Sequence, residues 1–485
     1  MAVLNASPET AVSAPPTLVV DLDGTLIASD TLHEAVARAL HRNPFLLLRS
    51  LVTFAACRDK AQLKKDVLTA GGLPSVASLP FRDVVLDCIA RAREAGADVI
   101  LATGAHKSIA DAVAEHLGGF SAVLATEDVN LTGTRKLDRI RQHLGEKPFD
   151  YIGDSAADLP IWAAASTAIV VAPSRSLARR LALQSPASVT LAVSQTSRFG
   201  AVVKQLRLRQ WSKNVLVFVP LVTSHRLLDV SLFVRSLLTL LAFSFVASAI
   251  YVINDLIDIE ADRLHPLKRA RPLASGAVSI RAASGLTALM AVAGMSLASW
   301  LGYELMATLG VYALLAVSYT FRLKRVLALD VVVLATLYCI RVIAGGVAIG
   351  VDLSPWLLAT MIFEFFGLAM VKRSIELRRM VDRVPGRGYR ASDRASVRIL
   401  GIGSTLLGVM VFALYVQDPG IASLYPQQRL LWLAVPLLLY WSARLWLLED
   451  RGEIDDDPLI FVLKDRVSLL AFALVGVVLV AAARA

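Results

Sequence analysis

The sequence predicts an α/β domain followed by an all-α, polytopic membrane domain, and three observations lead to this prediction. Hydrophobic residues make up 56% of the 485 residues and charged residues only 19%, whereas soluble domains average about 45–50% apolar and about 25% charged residues. From residue 213 to residue 485, long apolar segments alternate with short polar gaps. Residues 1–195 instead contain short apolar runs, which look like buried parallel strands, and these runs end in acidic or hydroxyl residues.

The charge and the cysteines exclude several classes of protein. The net charge is +10, and in a membrane protein such an excess sits in cytoplasmic loops, so we expect a membrane partner and no nucleic acid. Cys57, Cys88 and Cys339 are far apart and form no CxxC pair, which argues against a disulfide framework or a zinc site. The amino-terminal stretch MAVLNASPETAVSAPP lacks a basic start followed by an apolar run, so we expect no cleavable signal peptide.

Three predicted strands of the α/β domain end in residues that suit phosphate chemistry. Asp21 and Asp23 follow the first run, Thr103 follows the second, and Asp154 follows the third. Ligands of open α/β sheets bind at the carboxyl ends of the strands, so we expect these four side chains to lie close together. The alternative is that these residues only form turns after the strands and have no catalytic role. Several such motifs in order make a chance occurrence a poor explanation.

The chemistry that these residues suit is the transfer of a phosphoryl group to water. Of Asp21 and Asp23, one carboxylate can attack phosphorus while the other handles the proton of the leaving group. Mg²⁺ held by Asp21 and Asp154 would neutralise the incoming phosphate. Thr103 and Lys136 could hold the transferring oxygens.

The motifs DLDGT, ATG, Lys136 and GDSAAD, in this order, resemble the haloacid dehalogenase (HAD) superfamily over about residues 15–195. The resemblance implies a Rossmann-like α/β fold in which Asp21 is the nucleophile and Asp23 the general acid and then base. It also implies that Asp154 and Asp158 complete a Mg²⁺ site. Residues 27–95 would form the helical cap that selects the substrate.

The membrane domain is predicted to contain about nine transmembrane helices, because most of its apolar segments approach the roughly 20 residues that span a bilayer. The first is short and could lie at the interface, which would leave eight. The segments are 213–223, 232–254, 280–300, 304–321, 328–350, 355–374, 398–416, 429–447 and 466–483.

The basic residues of the connecting loops predict the orientation of the spans. Four alternate loops, at 254–281, 319–330, 372–398 and 444–466, together hold 21 Lys and Arg residues, and the opposite loops hold Arg226 and Arg429. This asymmetry places the first set of loops and the α/β domain in the cytoplasm. The segment 196–212, between the α/β domain and the first predicted span, alternates apolar and basic residues. We expect it to lie on the inner leaflet or to be an ordinary linker.

The stretch YVINDLIDIEADRLHPLKRARPLASG (251–276) carries the most chemical information. Asp255, Asp258 and Asp262 fall at i, i+3 and i+7, so a helix would present three carboxylates on one face. Like charges so close to a membrane helix are unfavourable without a cation, and Mg²⁺ with a diphosphate is the natural partner. Lys268 and Arg271, together with Arg269, could hold phosphate oxygens; a polar loop would explain the basic residues but not the acidic face.

This NDxxDxxxD motif, which starts at Asn254, and the membrane spans resemble the UbiA prenyltransferase superfamily over about residues 200–485. The resemblance implies a helical bundle in which Asn254 and the three aspartates hold Mg²⁺-bound diphosphate. A second aspartate-rich motif, DxxxD, is usual in that family. Here the corresponding stretch, VKRSIELRRMVDR (371–383), instead offers Lys372, Arg373 and Glu376, which favours a cationic site for a phosphate.

Several short strings are similar to one branch of that family, the polyprenyl-phosphate phosphoribosyltransferases. They are RQWSKN, HPLKRARPLASG, YTFRLKRVLALD, IRVIAGG and VKRSIEL. The resemblance implies that the diphosphate belongs to phosphoribosyl diphosphate and that the phosphate of a polyprenyl lipid is the nucleophile. Candidate residues for binding the lipid phosphate are Lys213, Lys324, Lys372 and Arg373.

Two membrane residues and two tyrosines leave alternatives open. Arg341 lies within a span, where it either serves the site or pairs with Glu364 in another span. Tyr319 and Tyr389 could line the cavity, although tyrosine is common at membrane interfaces. The acidic stretch 451–458 could bind a cation, but a solvated loop is favoured.

The fusion predicts two sequential reactions, in which the HAD-like domain removes the 5-phosphate from the lipid-linked product of the transferase. Tethering the phosphatase would raise its effective concentration for that product. The rival hypotheses are transfer of a polyprenyl group to an aromatic acceptor, a non-enzymatic membrane scaffold and, last, a transporter.

Overall fold

The computed structural model describes residues 15–172, 175–184, 188–191, 198–379, 388–454 and 457–483. Of the amino-terminal stretch MAVLNASPETAVSAPP, only the last two residues are among the described residues. The last four residues of the stretch 371–383 also lie outside the described residues. The chain forms two compact units. One comprises residues 1–205 and 253–285, and the other comprises residues 206–252 and 286–485.

A six-stranded parallel sheet forms the centre of the first unit. Its strands are Thr17–Val20 (β1), Val99–His106 (β2), Ala122–Thr126 (β3), Phe149–Gly153 (β4), Thr167–Val171 (β5) and Ser188–Leu191 (β6). The strand order is β3-β2-β1-β4-β5-β6, and β1 pairs with both β2 and β4. The predicted α/β fold is therefore confirmed, and the strands that carry the acidic motifs are neighbours.

Nine α-helices accompany the sheet among the described residues up to residue 205. They are Thr31–Arg42 (α1), Pro44–Cys57 (α2), Lys60–Gly71 (α3), Asp83–Glu94 (α4), Lys107–Leu117 (α5), Thr134–Leu144 (α6), Leu159–Ala164 (α7), Arg175–Gln184 (α8) and Arg198–Gln205 (α9). Apolar residues of α1, α2 and α3 form a small core of their own, whereas α4 buries Val85 and Ile89 against the sheet. We refer to α1–α3, which lie within the predicted cap of residues 27–95, as the helical cap.

Aspartate and asparagine caps fix where the cap helices begin. The Asp30 carboxylate accepts the backbone N–H of Leu32 at 2.9 Å, and the Asp59 carboxylate accepts that of Ala61 at 2.8 Å. Asn43 caps α2 in the same way, and Pro44 follows it at the first helical position. Such caps satisfy amide groups that a helix leaves unpaired at its amino terminus.

Most of the remaining described residues are helical. Its helices are Val219–Thr223 (α10), Val230–Ile257 (α11), Ile259–Leu264 (α12), Ile280–Leu301 (α13), Tyr303–Phe321 (α14), Leu329–Ile349 (α15), Pro355–Arg378 (α16), Arg394–Val416 (α17), Ala434–Arg451 (α18), Pro458–Val462 (α19) and Arg466–Ala483 (α20). Within the described residues, eight helices are long and apolar enough to cross a membrane. The protein is therefore an integral membrane protein.

The described residues contain eight spans, which is the number left open by the short first segment. The first predicted span, 213–223, falls in a 3₁₀ segment, Leu208–Phe218, and the five-residue helix α10. At about 1.5 Å per helical residue, α10 covers only a small part of a bilayer about 30 Å thick. The other eight predicted spans correspond to the eight long helices.

Small residues allow the helices of the second unit to approach closely. A Cβ atom on Gly367 of α16 would lie 2.3 Å from the Thr405 side chain of α17, and one on Gly401 would lie 2.3 Å from Trp446. Helices in a membrane gain stability from such close contacts, because lipid tails are as apolar as the side chains they replace.

Candidate active sites

The carboxyl edge of the sheet brings the first set of predicted residues together. Asp21 directly follows β1, Thr103 lies in β2 and Asp154 directly follows β4, so three adjacent parallel strands deliver them to one edge. Lys136 comes from α6, and its ammonium group lies 2.9 Å from Asp21 Oδ1. The prediction that these side chains meet at the strand ends agrees with this arrangement.

A buried network holds the lysine in place. The Lys136 ammonium donates to the Tyr151 hydroxyl at 3.0 Å, and that hydroxyl donates to Asp158 Oδ1 at 2.8 Å. Lys136 and Asp158 are also an ion pair at 3.4 Å. Because all three side chains are almost completely buried, this network fixes the lysine beside the Asp21 carboxylate. The sequence does not indicate that Tyr151 links Lys136 to Asp158, since its position in an apolar strand is typical of a core residue.

Three carboxylates at this edge are arranged to hold a metal ion. Asp21, Asp154 and Asp158 each offer an oxygen, and these oxygens lie within 4.8 Å of one another. Oxygen ligands of this type are those that Mg²⁺ prefers. Gly24 permits the arrangement, since its φ of +73° suits glycine and a Cβ there would lie 2.2 Å from Asp154 Oδ2.

Burial sets the protonation of these acids. Burial, opposed by the Lys136 charge, raises the pKa of Asp21 to about 6, and burial raises the pKa of Asp154 to about 7. Burial and the neighbouring Asp30 charge raise the pKa of Asp23 to about 7. Asp23 also accepts the backbone N–H of Thr31 at 2.7 Å, which fixes its direction. A carboxyl group that is partly protonated near neutral pH can donate a proton to a leaving group.

One lysine of the cap reaches this edge and was not predicted. Lys64 of α3 donates to Asn130 Oδ1 at 2.6 Å and to the backbone oxygen of Gly104, the residue after Thr103. Burial lowers the pKa of Lys64, while the charge of Asp23 opposes this effect. The sequence does not indicate that Lys64 reaches the strand ends, because Lys64 lies in a helix with several other polar residues.

The aspartate segment belongs to the same compact unit as the sheet. A single turn residue, Asp258, separates α11 from α12, and hydrogen bonds from Asp258 N to Asn254 O and from Asp262 N to Asp258 O continue the helical spacing. Asp255 and Asp262 are 3% exposed, and Asp258 is half-buried. The predicted acidic face therefore exists around a small break in the helix.

A basic side chain bridges two of these carboxylates. Arg271 Nη1 lies 3.2 Å from Asp255 Oδ1 and also contacts Asp262. The Gln205 amide donates to the other oxygen of Asp255 at 2.8 Å. The Arg271 guanidinium thus already binds both acids. Their carboxylate oxygens are also ligands of the kind that Mg²⁺ prefers. In the part of the chain that the structure describes, the oxygens of this segment form no three-carboxylate group as tight as the one at the sheet edge.

The other residues of this segment are placed differently. Lys268 is exposed, whereas Arg271 is half-buried. Arg263 of α12 donates two hydrogen bonds to Glu34 of α1, at 3.0 and 2.7 Å, and Arg38 of α1 pairs with Glu260. These ion pairs attach the helical cap to the segment that carries the aspartates.

In the second unit, Lys213 lies in a charged cluster. It forms an ion pair with Asp457, the amino-terminal cap of α19, and both side chains are largely buried. The charges of Lys213, Asp457 and Glu376 all act on Lys372. The interpretation of 451–458 as a solvated loop is therefore wrong for Asp457. The sequence indicates the position of Asp457 only by the proline that follows it, since an aspartate directly before a proline is typical of the start of a helix.

Arg341 does not pair with Glu364. Its guanidinium donates to Asn214 Oδ1 at 2.8 Å and to the Tyr312 hydroxyl at 2.9 Å. Its guanidinium carbon also lies 4.7 Å from the centre of the Tyr312 ring. Arg341 therefore contacts Asn214, the chain neighbour of Lys213, and the alternative in which it pairs with Glu364 is wrong; its role in the site stays a prediction.

Arg373 is completely buried. Its Nη2 lies 3.0 Å from Asp330 Oδ2, and it also contacts Glu376. The Tyr389 hydroxyl donates to the other oxygen of Asp330 at 2.8 Å. A guanidinium held by two carboxylates is suited to fix α15 against α16, and Tyr389 is part of that arrangement. Tyr319 and Lys324 are half-buried.

Comparison with known proteins identifies the family. The model of the UbiA prenyltransferase family matches residues 216–470, more than half of the chain. The chain belongs to the UbiA prenyltransferase family. The model of haloacid dehalogenase-like hydrolases matches residues 18–162, so both predicted resemblances are confirmed. The protein is an enzyme of the UbiA type with a HAD-like hydrolase domain.

The chain is also similar to several individual proteins. Protein y4nM of Sinorhizobium fredii is 37% identical over 465 residues, covering 95% of this chain and 89% of that protein. The decaprenyl-phosphate phosphoribosyltransferase of Mycolicibacterium smegmatis is 33% identical over 284 residues, covering 56% of this chain and 88% of that enzyme. A UbiA homolog from Archaeoglobus fulgidus bound to GPP and Mg²⁺ is 15% identical, with a TM-score of 0.44, covering 58% of this chain and 99% of that one.

The charged cluster of this UbiA-family chain leads to a testable prediction. We expect Lys213→Ala to raise the apparent KM for an anionic lipid about 10- to 100-fold, because a buried charge-assisted contact to a phosphate is worth about 1.5–3 kcal/mol. Lys464→Ala is the matched control, since Lys464 is exposed and lies just after α19. The measurement is transferase rate against lipid concentration. Equal KM values for the two variants would remove Lys213 from the lipid site.

Proposed function

We propose that the membrane domain transfers a 5-phosphoribosyl group from phosphoribosyl diphosphate to a polyprenyl phosphate. The observation that carries this proposal is the charged cluster around Lys213 and Lys372 in the second unit. A phosphate monoester as nucleophile needs positive neighbours, whereas an uncharged aromatic acceptor does not. The 33% identity to an enzyme named decaprenyl-phosphate phosphoribosyltransferase supports the same choice.

In this proposal, the aspartate segment binds the donor. Asp255, Asp258 and Asp262, with Asn254, would hold the Mg²⁺ complex of the diphosphate, and Arg271 and Lys268 would contact phosphate oxygens. Mg²⁺, when bound, supplies charge neutralisation to the departing diphosphate. Arg271 already contacts two of these carboxylates, which places its guanidinium beside the acids that would hold the metal.

The reaction breaks one bond and forms one. The bond from the anomeric carbon to the diphosphate oxygen breaks, and an oxygen of the lipid phosphate forms the new bond to that carbon. Lys213 and Lys372 hold the lipid phosphate, and Arg341 orients Lys213 through the neighbouring Asn214. Positioning and charge neutralisation contribute most of the rate, because little proton transfer is required.

We further propose that the HAD-like domain hydrolyses the 5-phosphate of the lipid-linked product. Asp21 attacks phosphorus, and Asp23 donates its proton to the departing ribose oxygen and then activates water. Thr103 and Lys136 hold the transferring oxygens. The arrangement at the sheet edge supports these roles, since Lys136 lies 2.9 Å from Asp21 and Asp154 and Asp158 complete the acidic group that suits Mg²⁺.

We propose that both reactions take place on the cytoplasmic side of the membrane. The 21 basic residues in one set of loops, against two in the other, support this orientation. The soluble donor would then be supplied from the cytosol, and the lipid phosphate would lie at the inner leaflet.

One assay tests the transferase activity directly. Purified protein in detergent receives Mg²⁺, phosphoribosyl diphosphate labelled in the ribose, and polyprenyl phosphates of several lengths, followed by extraction into organic solvent. We expect Mg²⁺-dependent appearance of the label in the lipid fraction. If the label stays in water while the protein consumes a polyprenyl diphosphate and an aromatic acceptor, the protein is a prenyltransferase and the proposal fails.

A further inference from the structure

The cap helix α2 exposes an unusual amount of apolar surface. Five large apolar side chains of this helix are exposed, and Phe45 is 84% exposed. Only two other large apolar side chains are exposed between residues 15 and 172, Leu73 and Val129. The five are Phe45, Leu46, Leu48, Leu51 and Val52. An apolar patch of this kind on a folded domain marks a surface that another apolar phase covers.

The exposed face does not result from a loosely attached helix. Leu47 and Ser50 are buried, and Phe54 packs against the same small core as residues of α1 and α3. The spacing of these three residues defines the inner face of α2, and Phe45, Leu48 and Val52 follow the same spacing on another face. The helix is therefore apolar on two sides, although the cap covers only one of them.

The charged residues from residue 42 to residue 58 are all arginines. Arg42 and Arg58 flank the helix and Arg49 lies within it, and all three are exposed. The stretch from residue 43 to residue 58 contains no acidic residue. Apolar side chains among arginines fit the boundary between acyl chains and anionic head groups, where the apolar groups are buried and the cations stay with phosphates.

Contacts within the same compact unit hold the cap beside the end of a membrane span. The span α11 ends at Ile257, and Glu260 and Arg263 follow on α12 within about one and a half helical turns. Arg38 binds Glu260 and Glu34 binds Arg263, and the latter pair is 2–6% exposed. A Cβ on Gly276 would lie 2.8 Å from Cβ of Ala28, just before α1, so the contact extends along the segment.

We propose that α2 is an interfacial membrane helix, which inserts Phe45, Leu48 and Val52 among the acyl chains of an anionic bilayer. The arginines contact the lipid phosphates, which lie closer to the water than the acyl chains do. Such a helix holds the cap at the level where a lipid head group leaves the bilayer. The proposal concerns the surface of the protein alone and does not depend on which reactions the two domains catalyse.

The test uses the full chain in nanodiscs that contain phosphatidylglycerol. In a background with Cys57→Ser and Cys88→Ser, a nitroxide spin label is attached at Leu48→Cys or at Val52→Cys. The control is Gln142→Cys, which lies on the exposed face of α6. Collision rates with oxygen, which partitions into lipid, and with a water-soluble nickel chelate report the depth of each label.

We expect the ratio of oxygen to nickel collisions to be several-fold higher at positions 48 and 52 than at position 142. The proposal is overturned if all three positions show the same water-like ratio. It is also overturned if the labels at positions 48 and 52 are shielded from both reagents and if dipolar coupling is measured between labels on two copies of the chain. A second copy, and not the bilayer, would then cover the helix. Both labels replace exposed side chains, and a size-exclusion profile like that of the parent confirms the fold.

Discussion

Asp21→Asn is expected to abolish removal of the 5-phosphate while the transferase continues to work. The amide keeps the shape of the side chain but cannot attack phosphorus, so we expect the phosphatase rate to fall at least about 10³-fold. With phosphoribosyl diphosphate and polyprenyl phosphate as substrates, the labelled lipid should then keep its second phosphate. Mass spectrometry of the extracted lipid distinguishes the two products by one phosphate group.

The same substitution at Asp138 provides the control. Asp138 lies on α6 two residues after Lys136 but is exposed, so Asp138→Asn should give the lipid product of the parent protein. If Asp21→Asn and the parent yield lipids with the same phosphate content, the HAD-like domain acts on another substrate. Loss of all labelled lipid in Asp21→Asn would instead show that the substitution disturbs the transferase.

The second large effect is expected from Asp255→Asn in the aspartate segment. Removing one carboxylate from the group that binds Mg²⁺ and diphosphate weakens charge neutralisation of the leaving group. We expect the transferase rate to fall about 10²- to 10³-fold, the loss typical of a charge-stabilising group in a water-excluded site. The half-saturating Mg²⁺ concentration should rise as well. Hydrolysis of a soluble phosphate monoester by the HAD-like domain should be unchanged.

Asp352→Asn is the matched control for this experiment, because Asp352 is an exposed aspartate in the connection between α15 and α16. Its transferase rate and Mg²⁺ dependence should equal those of the parent. Full transferase activity in Asp255→Asn would contradict the proposed donor site and would favour a structural role for the acidic face. Arg271 and Gln205 hold Asp255 in that case, and a lower melting temperature would accompany the substitution.

The sequence alone determined the two families and the order of their motifs. DLDGT, ATG and GDSAAD follow apolar runs, and buried parallel strands require such runs irrespective of what packs on them. The eight long spans could be predicted for a similar reason, because the thickness of the bilayer sets a length that the apolar composition shows directly. The short segment 213–223 left the count at eight or nine, since apolar composition over 11 residues does not distinguish a span from a short interfacial helix.

Contacts between residues far apart in the chain were decided only by the tertiary structure. Asp457 pairs with Lys213, and Tyr151 links Lys136 to Asp158, although neither contact leaves a periodic signal in the sequence. The partner of Arg341 could not be chosen from composition, because a buried guanidinium accepts any oxygen that packing brings within reach. Periodicity and composition act along the chain, whereas charge pairing depends on which helices pack together, and only the folded structure supplies that information.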